Sequence, residues 1–212
     1  MPAHLRAGIA EPPGAHARIL RSGGAAPPRE SSRGRVLLIS AFGIRRFGGA
    51  EHFLMQMARL YAKLGYNPLV VGTRPELTGQ SGCAEGVEYV YVPPRPEALF
   101  HLAVEERARL VHVVSGLGQE VAASLRFLDL RLVFGVHFWR ELFFPHQLES
   151  GYYPDCPEGY AARPSFPLLL ADYDAVYVNS EFTRSVVEER FGARLPVIPS
   201  LADDLPTGTP VP

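Results

Sequence analysis

Two short continuous apolar runs, Val36–Ala41 and Pro68–Gly72, bracket a segment with helical periodicity, and this narrows the fold more than any other feature of the chain. A strand that is apolar on both faces belongs inside a sheet covered on both sides. Between the runs, Ala50, Phe53, Leu54, Met57, Leu60, Tyr61 and Leu64 recur at helical spacing, and Gly65 supplies a C-terminal stop. The reading is a β-α-β unit with parallel strands and a right-handed crossover. Its first junction is Phe47-Gly48-Gly49-Ala50-Glu51. Adjacent glycines let the backbone turn sharply and let a ligand approach the main chain. The helix that follows offers unpaired N–H groups and the positive end of its dipole, which suit a phosphate or sugar oxygen. The loop is not G-x-G-x-x-G, so it is not the usual dinucleotide fingerprint.

The alternation continues along the chain. Strands are expected at Val87–Val92, Leu110–Val114, Leu132–Val136, Ala175–Val178 and Leu195–Pro199. Helices are expected from Glu97 to about Arg109, over Gly118–Phe127, and from a Ser180 cap to Phe191, with Gly192 as the stop. This predicts an α/β, Rossmann-like open and mostly parallel twisted sheet with helices on both faces. Ligands of such sheets bind beyond the carboxyl ends of the strands. The Gly-Gly loop, Ser115-Gly116, His137 and Asn179-Ser180 all fall at those ends. Trp139 to Pro167 breaks the rhythm, and a loop of that length inside a domain is usually functional or mobile.

Composition excludes several classes. A net charge of -1 gives no footprint for nucleic acid. Cys83 and Cys156 lie far apart, with no zinc spacing or disulfide framework, as in a reducing, cytoplasmic compartment. No apolar run approaches the roughly 20 residues of a membrane span, which leaves peripheral membrane contact open. No metal and no cofactor are expected. Walker A and Gly-x-Ser-x-Gly motifs are absent. Residues 1–34, with Pro12, Pro13, Pro27 and Pro28 among Gly, Ala and Ser, are expected to be a disordered N-terminal tail, whether flexible extension, upstream start or transit-like leader. The globular domain is expected over 35–204, with 205–212 a linker start or a frayed end.

Several segments together resemble a known family. An opening strand, then Gly48-Gly49-Ala50-Glu51 leading a helix that ends in Leu64-Gly65-Tyr66, is similar to the N-terminal domain of GT-B glycosyltransferases of the retaining, family 4-like group. Leu110–Val113, Val136-His137, Ala171–Thr183 and Phe191-Gly192 followed by Val197-Ile198-Pro199 occur in the family's order. Such enzymes consist of two Rossmann-like domains with the active site between them. The resemblance therefore implies one half of a GT-B fold, the acceptor-side half. It also implies transfer of a sugar from a nucleotide-diphosphate co-substrate to an acceptor hydroxyl, on a glycan or glycolipid, with retention. The chain reaches Pro212 where the family's donor-binding domain begins, so a separate C-terminal domain is an expected partner. Two features depart from the family. Ser200-Leu201 stand where Asn-Gly usually follows Ile-Pro, and the acidic pairs Glu97/Glu105 and Glu181/Glu189 lie on solvated helix faces of this domain.

The candidate site follows from both lines. Gly48 and Gly49 are expected at donor phosphate or sugar, with Arg45 and Arg46 supplying charge-assisted hydrogen bonds. His137 is the candidate catalytic residue, a neutral imidazole able to donate and accept at once. Glu51, Ser115, Phe138 and Trp139 are candidates for acceptor binding. Each has a plainer alternative: a tight turn for the glycines, a solvated pair for the arginines, a surface acid complementing the helix dipole for Glu51, packing under the long loop for His137 and the aromatics. His112, inside a strand, reads as structural. Two other functions remain open: a non-catalytic acceptor-binding half, and a different Rossmann-like nucleotide binder.

Overall fold

A computed structural model describes residues 33–44, 49–115, 118–137 and 170–199. The expected tail up to residue 32, the long loop from Trp139 to Pro167 and the linker after residue 199 lie outside the described residues.

Seven strands form one sheet: β1 (Arg35–Ser40), β2 (Asn67–Gly72), β3 (Ser81–Ala84), β4 (Val87–Tyr91), β5 (Ala108–Ser115), β6 (Arg131–Val136) and β7 (Ala175–Val178). Their order is β3-β4-β2-β1-β5-β6-β7, and every pairing is parallel except that of β3 with β4. The helices are α1 (Gly49–Lys63), α2 (Pro96–Glu105), α3 (Gly118–Leu125) and α4 (Glu181–Phe191). This is the expected α/β, Rossmann-like open sheet.

The two faces have separate cores. On one, Phe53, Leu54, Met57 and Ala58 of α1 pack on Val36, Leu38, Val70 and Tyr177. On the other, Leu99, Leu102 and Ala103 of α2, Val121, Ala122 and Leu125 of α3 and Val187 of α4 pack on Leu37, Ile39, Val111 and Phe134. Alternate residues of β1 thus feed opposite layers, and Val36 to Ile39 are all fully buried. Local chemistry sets the element ends. Gly65 and Gly192 adopt positive φ beyond α1 and α4. The Ser180 hydroxyl accepts from the Thr183 N–H at the start of α4.

Three expectations need correction. Helix α2 stops at Glu105 rather than near Arg109, because Arg107 takes a left-handed φ of 50° and turns the chain into β5. Strand β3 has no apolar alternation to reveal it. The expected strand over Leu195–Pro199 is a single bridge between Val178 and Val197. Pro196 and Pro199 have no N–H to extend a ladder.

One glycine controls the chain beyond β1. A Cβ on Gly72 would fall well inside the Tyr91 ring. Without it, Tyr91 crosses the end of β2 and hydrogen-bonds the loop after β1: its hydroxyl donates to the Phe42 carbonyl at 3.3 Å and accepts from the Ile44 N–H at 3.1 Å. Gly72→Ala is therefore expected to cost about 1–3 kcal/mol through overpacking. Urea unfolding would show it as a lower midpoint with an unchanged m value.

Candidate functional site

Strand order defines where a ligand fits. The chain leaves β1 toward α1 on one face and leaves β5 toward α3 on the other, so the crevice opens beyond the carboxyl ends of these adjacent strands. Ser40 and Ser115 are partners in register at those ends. Gly49 opens α1 on the same rim, exposed, with nothing within 4 Å of where a Cβ would stand. The Gly49 backbone thus needs no glycine for the fold's own sake. Glu51, in the first turn of α1, is 8% exposed and takes no hydrogen bond among the described residues. Burial takes Glu51 off the open surface, while its place in the first turn of α1 still complements the helix dipole.

His137 follows β6 and reaches the same rim. Phe53, one turn into α1, packs on its imidazole with ring centroids 4.4 Å apart. Asn179, just past β7, holds its backbone: the side-chain amide donates to the His137 carbonyl at 3.2 Å. The Thr183 hydroxyl in turn donates to the side-chain Oδ1 of Asn179 at 3.0 Å. The first turns of α1 and the imidazole, more than eighty residues apart in sequence, are therefore held together through Phe53.

Behind His137 lies a buried polar chain. Its Nε2 is 2.9 Å from the Tyr177 hydroxyl. That hydroxyl is also 3.0 Å from Nε2 of His112. Nδ1 of His112 is 3.2 Å from the hydroxyl of Tyr61 on α1. His112 and Tyr177 are 1% and 3% exposed. Gly135 makes room for the bridge, since a Cβ there would press into the Tyr177 phenol and lie 2.8 Å from His137 Nε2. Burial lowers the His137 pKa to about 4. Burial and the neighbouring His137 lower that of His112 to about 3. Both imidazoles are neutral at pH 7, as a two-way hydrogen-bonding role for His137 requires.

Of the other sequence-derived candidates, Ser115 ends β5 at the crevice. Arg45, Arg46, Gly48, Phe138 and Trp139 lie outside the described residues. The sequence reading did not single out Tyr61 or Tyr177. Its one available signal was His112, a polar residue in an otherwise apolar strand. Among the described residues, no group of three His, Cys, Asp or Glu side chains is arranged to hold a metal ion. No helix among them is long and apolar enough to cross a membrane.

The sheet order defines a Rossmann-like domain with its switch point between β1 and β5. Residues 47–204 match the model of Glycosyltransferase Family 4, and the chain belongs to that family. The resemblance read from the sequence thus holds at the level of a glycosyltransferase domain. Among solved structures, Os79 from O. sativa in complex with U2F and trichothecene aligns at a TM-score of 0.49 and 16% identity, over 79% of this chain and 52% of that one. An alpha-glucosyltransferase in complex with UDP and a DNA containing a HMU base aligns at 0.46 and 12%, over 77% of this chain and 41% of that one. The chain therefore spans about two fifths to half the length of these structures. No curated protein matches it.

The buried imidazoles give folding a definite pH dependence. Their folded pKa values lie below the ordinary 6.5, so the unfolded chain binds their protons first as pH falls. Their stabilisation is complete above pH 6.5 and is lost on descent toward pH 4, by up to about 1.4 kcal/mol per pH unit for each imidazole. Thermal melts between pH 7 and pH 4 are expected to show this fall, and His112→Gln is expected to flatten it.

Proposed function

We propose that this domain is the acceptor-side, N-terminal half of a retaining glycosyltransferase. It moves a sugar from a nucleotide diphosphate to an acceptor hydroxyl. The observation that carries this reading is the packing of Phe53, one turn into α1, on a neutral His137 in a family 4 domain.

The chemistry follows from those groups. Breaking the sugar–phosphate bond separates charge. The N-terminal N–H groups of α1, with Gly48 and Gly49, are assigned to the leaving phosphate, since a helix N-terminus favours negative charge and glycine admits a close approach. Arg45 and Arg46, in the loop just before α1, are assigned to the same phosphates. His137 holds a sugar oxygen by hydrogen bonding rather than by charge. Glu51, Ser115, Phe138 and Trp139 are assigned to the acceptor, which is a glycan or glycolipid. In the retaining scheme the leaving phosphate takes the acceptor proton, so no protein nucleophile and no further cofactor is required. A second, donor-binding domain completes the cleft, and the work takes place in the cytoplasm, with peripheral membrane contact where the acceptor is lipid-linked.

The test is sugar transfer by the chain, alone and with any second Rossmann-like domain encoded beside it, across a panel of nucleotide sugars. His137→Ala is expected to lower turnover by roughly 10²–10³-fold, the cost of losing one preorganised hydrogen-bond group. Gly49→Val is expected to lower turnover while leaving the melting temperature within a few degrees of the parent, because space around that position is open. Unchanged turnover in both variants contradicts the assignment. Nucleotide-sugar or acceptor binding without transfer in any combination supports a non-catalytic binding half instead.

A further inference from the structure

We propose that Asn179 and Thr183 are positioning residues for His137, holding its main chain so that the imidazole stays at the rim. They act through His137 rather than on a ligand. Their effect on turnover rests on the reading of His137 as a ligand-facing group, whereas their hold on its main chain does not.

The ladder between β6 and β7 ends at the pair Val136 and Val178. Asn179 continues the hold with both its main chain and its side chain. Its N–H donates to the Val136 carbonyl at 3.3 Å, and its side-chain amide donates to the His137 carbonyl at 3.2 Å. Two ends of fixed character set the direction of the bonds beyond. A main-chain carbonyl only accepts, so Nδ2 of Asn179 faces His137 and Oδ1 is turned to Thr183. An amide oxygen also only accepts, so the Thr183 hydroxyl, 3.0 Å away, donates to it. That hydroxyl then accepts from the Ser180 hydroxyl at 2.8 Å, and the Ser180 oxygen accepts in turn from the Thr183 N–H at 3.1 Å. A flipped Asn179 amide would set two acceptor oxygens against each other at His137, and the Thr183 hydroxyl opposes that flip.

The set joins the two faces of the sheet. The His137 ring packs with Phe53 and Tyr177 on the α1 side, whereas α4 puts Val187 into the core of the other face. Thr183 is 6% exposed in the first turn of α4, where its N–H is tied to the Ser180 cap. Its hydroxyl is therefore placed by a packed helix end. The His137 ring has holds of its own, in the Phe53 ring at 4.4 Å between centroids and the Tyr177 hydroxyl at 2.9 Å. Those holds keep the ring at the rim only while the Cα that carries it stays in place. A misplacement of about 1 Å can cost about 10²-fold in rate.

The experiment is heteronuclear NMR of the uniformly labelled full chain at pH 7, read at the His137 carbonyl carbon and at the contacts between the His137 and Phe53 rings. Asn179→Ala and Thr183→Val are expected to move the carbonyl resonance upfield, as loss of its hydrogen bond does, and to weaken the ring contacts. Thr183→Ser keeps the donor and is expected to leave both as in the parent. Thr183→Val nearly preserves side-chain shape and guards against loss of folding in Asn179→Ala. Turnover is then measured with the second domain present, well below the melting midpoint of each variant. Where His137→Ala lowers turnover, Asn179→Ala and Thr183→Val are expected to lose roughly ten- to a hundredfold in kcat, with KM for the nucleotide sugar within about twofold of the parent. Thr183→Ser is expected to retain the parent kcat. An unshifted carbonyl with intact ring contacts in both variants overturns the proposal. A lower melting temperature with kcat unchanged marks a merely structural role and overturns it too, as does equal loss of turnover in Thr183→Ser and Thr183→Val. The functional reading fails separately, through an unaffected His137→Ala, and the NMR result does not depend on it.

Discussion

The parallel pairing of β1 on both its edges is the constraint that organises this domain. Arg35 to Ser40 runs beside β2 on one side and β5 on the other, so its backbone groups are satisfied without water. Its four central side chains are fully buried and feed both layers in turn. A strand in this position must be entered and left at opposite ends of the sheet. At the entry end, the buried Arg35 guanidinium is paired, with NH2 2.6 Å from Glu88 and Nε 2.8 Å from Glu106. That end is thus closed by ion pairs. The exit end opens into the switch-point crevice, where backbone N–H groups, two serines in register and an imidazole collect.

The polar chain under His137 is buried, and the cost of burying polar groups explains its form. A histidine 1% exposed within an apolar strand is tolerable only when neutral and hydrogen-bonded at both nitrogens, and His112 meets both conditions. Tyr177, on β7, places its hydroxyl within hydrogen-bond distance of both His112 and His137, and Gly135 yields the volume that the phenol needs. Four elements therefore contribute to one network, and none has a reason to carry its polar group alone. A core of the same shape built from leucine and phenylalanine would pack as well without holding His137.

Much of this was legible in the sequence, and the part that was not has definite physical causes. Continuous apolar runs at β1, β2 and β5 identified buried parallel strands, and the spacing of Phe53, Leu54, Met57 and Tyr61 identified α1. Glycine and serine punctuation fixed Gly65, Ser180 and Gly192 in their roles. These are local signals, carried by neighbouring residues. Strand β3 was missed because an edge strand with Gly82 and Ser81 carries no buried face. The end of α2 was misplaced because Arg107 reverses the chain through a conformation that favours glycine. The rim was half legible: chain order placed His137 and the Gly48-Gly49 loop at strand ends, but not Phe53 against the imidazole. Tyr61 and Tyr177 read as ordinary apolar positions, since a hydroxyl's partner sixty-five residues away leaves no trace in local sequence.

Membership of the family supports the proposed class of chemistry, and the physics of this rim bears on how the labour is divided within it. A histidinium at the rim would attract the departing phosphate and the incoming sugar alike, and would change charge across the physiological range. Burial removes that option, since a pKa of about 4 leaves the ring uncharged at neutral pH. In the proposed reaction, His137 then contributes direction and the start of α1 contributes charge. Separating the two tasks lets each be tuned by its own surroundings: the helix end by the glycines that admit a ligand, the imidazole by the phenols and histidine behind it. Substitution deep in the sheet, at a distance from any ligand, would then change how the rim orients its substrate without touching the groups that stabilise the leaving phosphate.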